Sequence, residues 1–272
     1  MKHKGLLFFG VIAVCVIVVV IIGLGRYSNL RTFKDAEAQM SKKNFAKAVE
    51  EFTALGTFMD ADQKIAEVYY AEGKHLLSKK EFDAAVVAYQ NAGEYKDAAK
   101  KITEVLYAKA KQLEKDGQFE KASAEYSALG DYKDAAQKAM ENQYLLAEQH
   151  FNNSEFAKAK SILEGIPSYE ASAALMDTVV KEEQYATAAL LVADSKFLEA
   201  ANTFEALGEY KDAKVQSVNA LLAACKKLVE ENKLVDAKAM LEKLAGNEEA
   251  KAILDNILQK ELNNTPSVSP AP

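Results

Sequence analysis

The chain has 272 residues, more than one typical domain, yet only 12 Gly and 4 Pro against 49% apolar residues, and Pro167 is the single proline before the C-terminal tail. That composition permits long unbroken helices. Residues 1–34 carry five bases and no acid, whereas after them acids outnumber bases by 11 and no arginine occurs. An acidic body without Arg has no basic field for a polyanion, so nucleic acid is not an expected partner.

A short basic N-terminus, residues 1–4, precedes twenty uncharged, almost wholly apolar residues, Gly5 to Leu24. As a helix they span about 30 Å, the hydrocarbon thickness of a bilayer, and predict a single transmembrane helix. The rival reading is a cleaved secretory signal. It fits less well, because the apolar run is too long and Gly23-Leu24-Gly25 is a poor cleavage site. Lys2 and Lys4 nearly balance Arg26, Arg31 and Lys34, so charge alone does not orient the segment. The expectation is a cell-membrane protein with its N-terminus inside and its body outside, after a juxtamembrane linker at 25–32.

From there a repeat runs the length of the body. Phe45, Phe82, Phe119, Phe156, Phe197 and Leu234 recur at spacings of 37, 37, 37, 41 and 37, each followed three residues later by Ala48, Ala85, Ala122, Ala159, Ala200 or Ala237. Four residues further on come Phe52, Tyr89, Tyr126, Leu163, Phe204 and Leu241. In one unit Phe119, Ala122, Tyr126 and Leu129 form a helical stripe, and Gly130 can take the left-handed conformation that ends it. The motif Gly-x-Tyr-Lys-Asp-Ala then restarts the chain at 93–98, 130–135 and 208–213, with a looser GTFMDA at 56–61. Asp60, Asp97, Asp134 and Asp212 fall where a first-turn carboxylate would cap the next helix, which runs in one unit from Lys96 to about Lys115. Each unit is therefore a helical hairpin.

The residues Ala110, Leu113, Gly117, Phe119, Ala122, Tyr126 and Leu129 resemble the tetratricopeptide repeat, here as a 37-residue GxYKDA variant. The resemblance implies an all-α solenoid of about six helical hairpins over residues 33–247, with the first helix of each unit lining a groove. Gly73, Ala147, Ala188 and Cys225 take the small position where helices approach closely, so Cys225 reads as a packing residue. The fourth unit is irregular: GIPSYEAS at 165–172 replaces the motif, and the 41-residue spacing implies one added helical turn. An amphipathic helix at 248–262 caps the last unit, and 263–272 is a disordered tail.

No catalytic motif stands out: the histidines His3, His75 and His150 are scattered, and no metal or cofactor site is expected. The expectation is not an enzyme. Tyr70, Tyr107, Tyr144 and Tyr185 occupy equivalent places on the first helices, each three residues after Glu67, Glu104, Glu141 or Glu182. They form a candidate groove, a tyrosine ladder edged by acids for a protein or peptide with basic segments, or else they are packing residues between neighbouring units. The expected function is a membrane-anchored scaffold or adaptor in cell-envelope assembly or secretion, with a glycan-binding surface protein as the alternative.

Overall fold

The computed structural model describes the main chain of residues 2–264 and the side chains of 13–262. Among the described residues there are thirteen helices and no strand. They form six hairpins in order: α1 (Lys2–Ser41) with α2 (Phe45–Leu55), α3 (Ala61–Ser78) with α4 (Phe82–Ala92), and α5 (Ala98–Lys115) with α6 (Phe119–Ala128). Then come α7 (Ala135–Asn152) with α8 (Phe156–Gly165), α9 (Ser172–Ala193) with α10 (Phe197–Ala206), α11 (Ala213–Glu230) with α12 (Leu234–Glu242), and a closing helix, α13 (Glu248–Asn264). The expected tail lies outside the described residues from 265 onward.

The chain forms two compact units, Met1–Asn142 and Gln143–Pro272, with the boundary inside α7. In the first, consecutive helices from α1 to α6 pack on one another; in the second, so do those from α8 to α13. The packing follows the repeat. Ala48, Ala85, Ala122, Ala159, Ala200 and Ala237 are wholly buried, because a methyl group there lets the second helix of a hairpin lie close against the first. The aromatic four residues on fills the remaining space: Phe52, Tyr89 and Tyr126 are at most 1% exposed, each removal from water contributing about 1.5–3 kcal/mol. The small position is equally tight. A Cβ on Gly73 would sit 3.0 Å from three atoms of the Tyr89 ring, and Cys225 is fully buried, which raises its thiol pKa. In the second unit Ile257 of α13 is buried against the α11–α12 hairpin together with Leu241 and Ala250.

Each turn inside a hairpin uses one left-handed residue, at Lys43, Lys80, Gly117, Ser154, Ser195 and Asn232. Its amide closes the end of the first helix, as Ser154 N–H does on the Phe151 carbonyl at 2.8 Å. The longer spacing of the fourth unit is an extra turn in α9, which has 22 residues where α3, α5, α7 and α11 have 18.

The N-terminal helix is continuous. Residues 25–32 are helical within α1, so the apolar segment runs without a break into the first hairpin. Residues 13–31 are exposed along their whole length, and burial begins at Thr32 and Phe33. The span Ala13–Ser41 contains an apolar window long enough to cross a membrane, none of it buried against the protein.

Candidate functional site

The GxYKDA motif builds a clasp between successive hairpins. Tyr70 donates its hydroxyl to Asp97 Oδ1 at 2.6 Å, Tyr107 to Asp134 Oδ1 at 2.6 Å, and Tyr185 to Asp212 Oδ1 at 2.5 Å, each partner lying 27 residues ahead. The same three rings stand edge-on to two others: Tyr70 to Tyr89 (5.4 Å) and Tyr95 (5.6 Å), Tyr107 to Tyr126 (5.5 Å) and Tyr132 (5.6 Å), Tyr185 to Phe204 (5.2 Å) and Tyr210 (6.3 Å). The motif lysine completes the arrangement. Lys96, Lys133 and Lys211 have φ of 51°, 53° and 49°. Their ammonium groups lie over both tyrosines of the clasp, 4.8 and 5.6 Å from the rings for Lys96, 4.6 and 4.9 Å for Lys133, and 4.9 and 5.6 Å for Lys211.

This corrects the role assigned to the aspartates. Asp60, Asp97 and Asp212 precede their helices, but none makes a side-chain capping bond. Asp97, Asp134 and Asp212 receive a tyrosine hydroxyl instead, and that bond holds each carboxyl below its usual pKa. Reciprocally, the bond to a carboxylate, with burial second, pushes the Tyr70 and Tyr107 hydroxyls up to about 12.

Where the motif departs, the clasp departs with it. In the fourth unit the residue 27 positions after Tyr144 is Ala171, and the lysine is replaced by Glu170. Tyr144 is then raised chiefly by burial and next by Glu148, while its ring lies 5.2 Å from Tyr169. In the first unit Phe33, Phe58 and Met59 replace Tyr, Tyr and Lys; Phe33 has no hydroxyl to offer Asp60 and packs edge-on against Phe52 at 5.2 Å.

The glutamates of the expected ladder are half-buried and paired. Lys64 meets Glu67 at 3.1 Å, Lys101 meets Glu104 at 2.7 Å, and Lys138 meets Glu141 at 2.8 Å, each lysine three residues before its acid. Glu182 has no lysine at that place and accepts from Lys211 and from the Tyr210 hydroxyl, both at 2.5 Å. An incoming basic segment would therefore exchange with these lysines, not meet free carboxylates.

Open space lies beside the ladder. In the first unit a groove of about 550 Å³ runs between α1 and α3, with Met40, Phe45 and Ala71 among its lining and Lys43, Lys74 and His75 around it. His75 lies 5.8 Å from the Phe45 ring, and burial, then Lys43 and Lys79, lower its pKa. In the second unit a smaller recess of about 280 Å³ lies between the start of α10 and α11, lined by Phe197, Leu198, Ala224 and Leu228. Neither stood out in the sequence; what the two share is the recurring aromatic, Phe45 or Phe197, at the start of a second helix.

No protein-family model matches the chain, and no curated protein is significantly similar to it.

Proposed function

We propose that the chain is a membrane-anchored scaffold of tetratricopeptide-like hairpins that holds a protein or peptide partner along the faces of its first helices. The observation that carries this reading is the direct continuation of an exposed apolar helix into a stack of hairpins whose first helices border an open groove. Its apolar floor at Met40 and Phe45 suits a partner side chain, and its mixed charged rim suits a polar peptide backbone and ends. In this reading α1 crosses the cell membrane once, with the N-terminus inside and the hairpins outside, as expected of a part in envelope assembly or secretion. A glycan would need the tyrosine faces, and in three clasps a lysine occupies that place.

Photo-crosslinking in membranes tests the proposal, with the reactive residue at Lys74 in the groove and at Lys121, exposed on α6, as the reference. A discrete protein adduct at Lys74 and none at Lys121 is the expected result. Equal labelling, or no adduct at either position, would sink the groove as the binding surface.

A further inference from the structure

The linker between α2 and α3 differs from the others in a way that the repeat does not require. At its tip Met59 takes the place held in three other linkers by a lysine over two tyrosines, is 60% exposed, and sits at φ 54°. An unbranched apolar side chain in a left-handed conformation, open to solvent, gains little from water. What distinguishes this linker is its height along α1.

The rings of Phe33 and Phe52 touch at 5.2 Å, which sets α2 level with α1 at that point. The two helices form a hairpin, so α2 runs back toward the apolar segment, and three more residues bring Leu55 level with Leu30. Leu30 lies six residues past Leu24, about 9 Å along the helix, and Tyr27 about 4.5 Å. Thr57, Phe58 and Met59 turn at that end. A headgroup layer is about 5–7 Å deep on each side of the hydrocarbon, so the linker meets its outer edge. Tyr27, 71% exposed, lies within that layer, where amphipathic aromatics are favoured.

We propose that the tip exposed at Thr57 and Met59, with Phe58 packed beneath it on the core of the first hairpin, rests in the headgroup layer of the bilayer that α1 crosses; this rests on the membrane-anchor reading. Phospholipid supplies the apolar contact that Met59 lacks in water, and the apolar version of the clasp occurs in the hairpin joined to α1. Asp60 and Asp62 after the tip offset Arg26 and Arg31 of α1 at the same level, so the tip needs no anionic lipid and zwitterionic phospholipid is the surface it fits.

The chain contains no Trp, so a single introduced one reports alone. Full-length Met59→Trp and Thr57→Trp, in phosphatidylcholine vesicles brominated high on the acyl chain, are compared with Val18→Trp in α1 and Val87→Trp, exposed on α4. Quenching at both tip positions at least threefold above Val87→Trp, with blue-shifted emission, is expected. Strong quenching of Val18→Trp with the tip no different from Val87→Trp overturns the tip and leaves the anchor standing. If Val18→Trp is not quenched, the anchor reading fails and the tip falls with it.

Discussion

Tyr107 and Asp134 each hold the other in the protonation state it needs. The raised tyrosine contributes stability that is complete below its unfolded pKa, near 10, and is lost as pH rises through about 12. The depressed aspartate contributes stability that is present above its unfolded value, near 3.9, and is lost as pH falls through the lower folded value. The clasp therefore weakens at both ends of the scale and is intact across the neutral range. Asp134→Ala removes the acceptor of the hydroxyl and, with it, the charge that opposes phenolate formation; in a spectrophotometric titration the tyrosines that titrate near 12, Tyr70 and Tyr210 among them, should lose one member to a lower pH, and Tyr107→Phe should remove one from the same group. If Asp134→Ala leaves the number of late-titrating tyrosines unchanged, the hydroxyl's partner is not this carboxylate. The motif itself was plain in the sequence, but the role of its aspartate was not. Capping is a local rule, whereas the hydroxyl arrives from 27 residues earlier. A clue lay in the fourth unit, where Tyr144 remains while its aspartate has become Ala171.

Hairpin geometry was legible because it depends on local chemistry. The buried alanines, the aromatic four residues on and the linker glycines fall in the elements where the period places them, and α13 begins at Glu248. The added turn also lies where counting can find it. Phe156 to Val179 spans 23 residues, as does Phe82 to Val105, whereas Phe156 to Tyr185 spans 29 against 25 for Phe82 to Tyr107. The insertion is thus in the middle of α9. The left-handed residues were harder to see, since only Gly117 announces itself and Lys43, Lys80 and the two serines do not. A non-glycine residue there costs about 1–2 kcal/mol, partly recovered because it orders an already stiffer unfolded chain than Gly would. Ser154→Gly should accordingly stabilise the second unit by about 0.5 kcal/mol in chemical denaturation, and Asn232→Gly by less, because Asn tolerates that conformation. A loss of stability in Ser154→Gly would mean that its φ is not strained.

At the scale of the whole molecule, the clasps and ion pairs that join hairpins within each compact unit link residues less than one repeat apart, so neighbouring hairpins of a unit stabilise one another. Such short-range contacts favour folding that spreads from one hairpin to the next. The acidic body and the basic N-terminal region, evident from composition, are divided within α1 itself. Because residues 25–32 are helical, that helix is also a shaft with a fixed phase. Each residue inserted between Arg26 and Thr32 would turn the first hairpin by about 100° about the anchor axis and lift it about 1.5 Å, and seven would return it almost to its starting azimuth about 10 Å higher. Partner capture measured across a series of one to seven inserted alanines should therefore oscillate with insert length, and a flat or steadily falling response would mean that the shaft does not transmit orientation.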